Sequence, residues 1–263
     1  MTWLDRLSSR TILAPMAGVT DKPFRQMVRQ FGKHLLFTEM ASATSLVYGS
    51  DQTRRFIDLA AEQMPIAIQL FGSNPEHLQQ AAVMAEQAGA VLVDINMGCP
   101  VRKLVASNAG AALMTMPYLA EEIIEKVKSA VHIPVTAKMR LGWDDAHINA
   151  CAFAKALESA GVDSISVHGR TKEQGYSGRA DWHQIAALKQ VVSIPVIANG
   201  DIVDEKSAKA CSELTKADGL MVGRAALGHP WILAQIDGLK PAYNVADVAL
   251  EHFDRMLAYY GDK

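Results

Sequence analysis

A handful of residues in this chain stand where their side chains can do chemistry. Cys99 lies between Gly98 and Pro100, directly after the apolar run Val91–Asn96. A thiol in such a loop can donate a proton or attack as the thiolate. Gln69, Lys138 and His168 close three further apolar runs. A lysine buried at a strand end calls for an anion or a hydrogen-bond acceptor. Gln69 offers both a donor and an acceptor, which suits the edge of a planar heterocycle. Asn199-Gly200-Asp201 and Gly223-Arg224 follow the last two runs. Glycines there let backbone N–H groups approach a phosphate, and Arg224 adds a charge-assisted contact. Each residue alone has an ordinary alternative: an inert thiol, a snorkelling lysine, a satisfied core histidine, glycines that merely turn the chain. Their shared position at run ends is what favours a site. Cys151 and Cys211 sit in helical patterns and read as small apolar residues. No HExxH or comparable metal spacing occurs, and no spacing supplies a Cys–His pair for covalent hydrolysis.

The elements that must position these residues form a regular series. Apolar, often β-branched runs cover Thr11–Ala14, Leu35–Thr38, Pro65–Leu70, Val91–Asn96, Pro134–Arg140, Val162–His168, Pro195–Gly200 and Asp218–Val222. Near-continuous apolar runs are expected of parallel strands covered on both faces. Helical periodicity appears between them, for example over Pro75–Ala88, Tyr118–Val131, Asn149–Ala160 and Asp204–Leu214. Asn74 before Pro75 suits a helix start, and Gly89 and Gly161 suit helix ends. Eight β-then-α units predict an α/β fold, a (β/α)8 TIM barrel. A doubly wound open sheet fits less well, because no GxGxxG opens the first crossover. In such a barrel the active site lies at the C-terminal strand ends. Seven of the runs exit into polar segments there, six of them bearing a glycine, and Glu39-Met40 is the candidate for the eighth.

Composition narrows the class. The 263 residues are 49% hydrophobic and 21% charged, as in a globular protein and unlike a disordered or fibrous one. The longest uncharged stretch, Leu104–Ala120, is too polar and broken to span a bilayer. The opening MTWLDRLSSR has no apolar signal core, so a cytoplasmic location is expected. Three scattered cysteines argue against a disulfide framework. A net charge of −2 does not advertise nucleic-acid binding, so that case rests on a local patch. Arg102, Lys103, Lys138, Arg140, Arg170, Lys172, Arg179 and Arg224 all fall on the mouth side of the expected barrel. They predict a basic stripe able to follow a phosphate backbone, although Asp144, Asp145, Glu173 and Asp181 are interspersed.

Several segments together resemble the tRNA-dihydrouridine synthases, with the bacterial B-type and C-type branches as the natural comparison. They are Ala14-Pro-Met-Ala-Gly-Val-Thr-Asp21, Asp94-Ile-Asn-Met-Gly-Cys-Pro100, Lys138-Met-Arg140, His168-Gly-Arg-Thr171, Ala198-Asn-Gly-Asp201 and Val222-Gly-Arg224. The resemblance runs from about Thr11 to the end of the chain. It implies an FMN-dependent enzyme that reduces the C5–C6 double bond of a uridine in tRNA, with NADPH as reductant. By the same resemblance FMN contacts fall on Pro15, Met16, Ala17, Gln69, Lys138, His168, Asn199, Gly200, Asp201, Gly223 and Arg224. Cys99 matches the proton donor. Asn96, Arg102, Lys103, Arg140, Arg170 and Lys172 become the residues expected to meet tRNA.

The resemblance also implies an organisation. Residues 1–241 form the FMN-binding barrel, and residues 242–263 begin a C-terminal helical tRNA-binding domain. The helical pattern Val245–Tyr260 sets Leu250, Phe253, Leu257 and Tyr260 on one face. The expected protein is a monomer with no metal and no membrane partner. An FMN-dependent reductase of a small pyrimidine is the alternative activity, and an RNA-binding module without turnover is the alternative outside enzymology.

Overall fold

The computed structural model describes residues 2–261. Eight strands form one closed parallel barrel. They are β1 (Thr11–Leu13), β2 (Leu35–Ser42), β3 (Ile66–Phe71), β4 (Leu92–Met97), β5 (Val135–Met139), β6 (Ser164–His168), β7 (Val196–Asn199) and β8 (Gly219–Val222). Each strand pairs with the next, and β1 closes on β8 through Thr11↔Leu220, Ile12↔Met221 and Leu13↔Val222. All eight expected runs are strands. The exception in extent is β2, which runs through Glu39 and Met40 to Ser42, with a register shift between Phe37 and Met40. Glu39 therefore lies within a strand rather than at its exit.

Local signals act where the sequence puts them. Asn74 caps helix Pro75–Gln87 by accepting from the His77 N–H at 2.8 Å, with Pro75 at the first helical position. Asp21 caps Lys22–Arg29 through the Phe24 N–H, and Asp204 caps Glu205–Thr215 through the Ser207 N–H. Helices Pro117–Ala130, Ala150–Ser159 and Trp182–Val191 complete the main outer ring. Gly89 and Gly161 take φ of 92° and 93° just past their helices, a conformation that glycine adopts without a Cβ penalty.

Side-chain alternation divides the barrel interior into two layers. Ile12, Leu35, Phe37, Ala67, Leu92, Ile197 and Met221 fill its lower half, and Leu4 from the turn Trp3–Arg6 seals the bottom. Above them the inward positions turn polar: Gln69, Asp94, Asn96, Thr136, Lys138, Ser166, His168 and Asn199. The larger core lies outside the strands. There Ile68, Ile95, Ala137 and Ile165 pack against helix residues such as Leu78, Ile123, Phe153 and Ile185.

Helix Val245–Tyr260 lies against Lys22–Arg29. Its contacts are a Phe24–His252 ring pair, Arg255 Nη1 donating to Gln26 Oε1 at 2.9 Å, and Tyr260 Oη donating to Asp21 Oδ2 at 2.9 Å. Leu250, Phe253 and Leu257 lie on its exposed side. No described helix is long and apolar enough to cross a membrane.

His34 sits at the barrel bottom before β2, only 2% exposed. Burial holds its pKa below the usual imidazole value, against the pull of nearby Asp237. A base held neutral by the fold costs stability once the unfolded chain can take up a proton, so the loss grows as pH falls below about 6.5. His34→Gln should shrink the drop in unfolding free energy between pH 7 and pH 5. Urea unfolding at the two pH values reads this directly.

Candidate active site

The mouth formed by the C-terminal strand ends gathers the expected residues around one opening. On the β3–β5 side four inward side chains are joined in series. Asp94, fully buried, accepts from Thr136 Oγ1 at 2.6 Å and from Gln69 Nε2 at 2.7 Å. Gln69 Oε1 accepts from Asn96 Nδ2 at 2.8 Å. Asn96 Oδ1 accepts the backbone N–H groups of Cys99 at 2.9 Å and Gly98 at 3.2 Å. The thiol loop thus hangs from Asn96. It is also braced from behind, where the Cys99 carbonyl accepts the Ala111 N–H at 3.0 Å. A Cβ on Gly110 would lie 2.7 Å from that carbonyl oxygen, so only glycine fits there. Burial pushes the Asp94 carboxyl up to about 6, against the lowering effect of the Thr136 and Gln69 hydrogen bonds and of Lys138.

Across the mouth, Lys138 Nζ donates to Asn199 Oδ1 at 3.1 Å, and Asn199 Nδ2 donates to the Met221 carbonyl at 2.8 Å. Burial brings Lys138 down to about 8, helped by Arg140 and opposed by Asp94. His168 is pushed down to about 2 by burial and then by Lys138, Arg140, Arg170 and Arg224. It is a neutral imidazole at any working pH. Arg170 Nη1 lies 3.3 Å from its Nε2, and a guanidinium can only donate. The His168 proton therefore sits on Nδ1.

The two glycine loops meet beside it. Gly200 has φ +114°, and a Cβ there would come within 2.9 Å of the His168 ring and 2.8 Å of Ala180 Cβ. Asp201 turns its carboxylate back into the protein, accepting from Arg170 Nη2 and the Ala180 N–H. Arg224 is more than half exposed and stands 3.8 Å from Asp201. Its guanidinium lies 4.6 Å from the Tyr176 ring centroid. In the first loop Met16, half-buried, reaches toward Gly223, and Thr20 Oγ1 accepts the Met16 N–H at 3.0 Å. Pro15 is half-buried and Ala17 exposed in the same turn.

The basic residues do not form a continuous stripe. Arg140 and Arg170 are 3% and 2% exposed. Arg140 donates to the carbonyls of Gly98, Thr171 and Gly175, and Arg170 to those of Ser177 and Gly178. Both arginines fold the loop after β6 down over the mouth, because backbone carbonyls there have no other donors. Arg102, Lys103 and Arg179 are exposed. Lys172 is half-buried, with its ammonium 4.2 Å from the Trp143 ring centroid. The sequence reading passed over two mouth residues. Tyr176 is an exposed ring 6.1 Å from the His168 ring, and an aromatic between glycines in Gln174–Gly178 was its only signal. Asp94 was the other, an acid two residues from Asn96 within an apolar run. Among the described residues no cluster of three or more His, Cys, Asp or Glu side chains could hold a metal.

A closed parallel barrel with its polar groups converging at the C-terminal mouth belongs to the (β/α)8 class of enzymes. Residues 12–263 match the family described as dihydrouridine synthase (Dus). The chain belongs to that family. It is 44% identical over 266 residues to a probable tRNA-dihydrouridine synthase of Rickettsia bellii, covering 97% of this chain and 82% of the relative. It is 41% identical to tRNA-dihydrouridine synthase B of Pseudomonas aeruginosa, over 98% of this chain and 80% of the relative. A probable tRNA-dihydrouridine synthase 1 of Synechocystis is 42% identical, over 98% and 75%.

Arg170→Met should lower stability by about 3 kcal/mol, because it strips the Asp201 carboxylate and two loop carbonyls of their donor. Limited proteolysis should show earlier cleavage within residues 171–180. Unchanged cleavage there would separate Arg170 from the loop.

Proposed function

We propose that this protein reduces a uridine in tRNA to dihydrouridine, with FMN as the bound cofactor and NADPH as reductant. Family membership, together with a half-buried thiol held at the barrel mouth, carries the reading. The close relatives named as tRNA-dihydrouridine synthases support tRNA rather than a free pyrimidine as substrate.

The mouth fits an anionic, planar cofactor. Burial and then Lys138, Arg140, Arg170 and Arg224 depress His168, so several positive charges surround the opening. Arg224 and the N–H groups around Gly200 and Gly223 would hold the phosphate. Lys138, oriented by Asn199, would sit against the ring system and favour a reduced, negatively charged form. The chemistry the cofactor supplies when bound is hydride delivery to C6 of the uracil, with electrons drawn from NADPH. Cys99 Sγ then gives a proton to C5, and the resulting thiolate recovers its proton from solvent. Pro15, Met16 and Ala17 would line the near wall. Gln69 is committed on both amide atoms to Asp94 and Asn96. It would therefore act on the ring mainly through these neighbours.

The base must leave its stack to reach so deep a thiol. Asn96 and Arg140 border the place it would occupy, and Tyr176 offers a ring beside it. Exposed Arg102 and Lys103, with Lys172, would follow the RNA backbone. A cytoplasmic location follows from the substrate.

Cys99→Ala should still show an oxidised-flavin absorbance band that NADPH bleaches, yet form no dihydrouridine in tRNA. Full product yield from that variant would remove Cys99 from the mechanism. Absence of the band even with added FMN would overturn the flavin reading. Lys138 attracts an anion only while protonated. FMN affinity should therefore fall as pH rises past about 8. Lys138→Met should bind about tenfold more weakly at pH 7 and lose that pH dependence. Fluorescence titration of FMN measures both.

A further inference from the structure

The series Asp94–Gln69–Asn96–Cys99 has a direction. An ionised carboxylate can only accept hydrogen bonds, and backbone N–H groups can only donate. Asp94 Oδ2 therefore requires Nε2 of Gln69, which leaves Gln69 Oε1 facing Asn96. That oxygen requires Nδ2 of Asn96, which leaves Asn96 Oδ1 for the N–H groups of Gly98 and Cys99. Each amide could be turned end for end without changing its shape. Only the two ends of the series select one orientation, and they select the same one. Reversing either amide would set donor against donor or acceptor against acceptor in a buried place, where such a mismatch is costly. Strand register makes the series possible, since Gln69 pairs with Asp94 across β3 and β4. Thr136 on β5 satisfies the other carboxylate oxygen.

We propose that Asp94 is a positioning residue for Cys99. Through the fixed orientation of Gln69 and Asn96, its acceptor oxygen holds the loop that presents the thiol, two side chains away and without touching substrate or cofactor. This assignment rests on Cys99 being the group presented for reaction, and the test below reads loop geometry alone.

The measurement is the rate of alkylation by iodoacetamide at Cys99, resolved by mass spectrometry of the flavin-free protein. Cys151, also half-buried but on an outer helix, serves as the internal standard. Asp94→Asn can still present an oxygen to Gln69 and an N–H to Thr136. Its Cys99-to-Cys151 ratio should stay within about twofold of the wild type. Asp94→Leu fills the same space without an acceptor and should raise the ratio about fivefold or more. Gln69→Met breaks the series at its middle and should match Asp94→Leu, so the test survives if one variant fails to fold. Thr136→Val touches only the other oxygen and should leave the ratio unchanged. An unaltered ratio in the folded Asp94→Leu or Gln69→Met protein would overturn the proposal. So would an Asp94→Asn ratio as high as that of Asp94→Leu, since charge rather than acceptor direction would then hold the loop. A failure of the proton-donor reading itself would appear elsewhere, as dihydrouridine formed by Cys99→Ala.

Discussion

Closing eight parallel strands into a ring removes every sheet edge but commits half of each strand's side chains to a single narrow interior. The lower half of that interior can be apolar, and it is. The upper half opens to a mouth, and its polar side chains must satisfy one another before any ligand arrives. Gln69, Asp94, Asn96 and Thr136 do so as one connected group, and Lys138 with Asn199 as another. The site is consequently pre-formed. The geometry of its floor follows from hydrogen-bond satisfaction within the barrel, and the loops after β4, β6, β7 and β8 build the rim upon it.

Charge in the mouth is one-sided. Asp94 is buried below the opening, and the Asp201 carboxylate is turned away onto Arg170. Asp201 still stands 3.8 Å from Arg224 and offsets part of its charge. Neutral His168 stands amid Lys138, Arg140, Arg170 and Arg224, its pKa lowered first by burial and then by these cations. A protein with net charge −2 thus gathers these cations at the barrel mouth. Global charge was a poor guide because the compensating acids lie elsewhere, such as Glu62 on buried Arg25 and Asp163 on Lys128.

The barrel was readable because parallel strands covered on both faces are written as apolar runs, and glycines punctuate the helices between. The reading stopped short at β2, where Glu39 and Met40 resemble an exit. Glu39 stays within the strand, half-buried, accepting the Gly18 N–H, and burial raises its pKa. Residues at strand ends gather at one mouth because all eight strands of a closed parallel barrel point the same way. Arg140 and Arg170 could not be told from surface cations, since the carbonyls that bury them belong to a loop with no periodic signal. Asp94 was hidden for the opposite reason. Inside an apolar run an acid marks only a position, and its partners on β3 and β5 are set by register, which a linear pattern does not carry.

The loop after β6 is held by guanidinium groups that grip main-chain oxygens, not side chains. Its shape therefore does not depend on the identity of most of its residues. Gly175 and Gly178, with positive φ, the two arginines, and Gln174, whose side chain accepts the Thr171 N–H, are bound to the architecture, while exposed Glu173 and Ser177 are comparatively free to drift. A rim of that kind can be rewritten through evolution to suit one partner surface after another, leaving the barrel beneath it undisturbed.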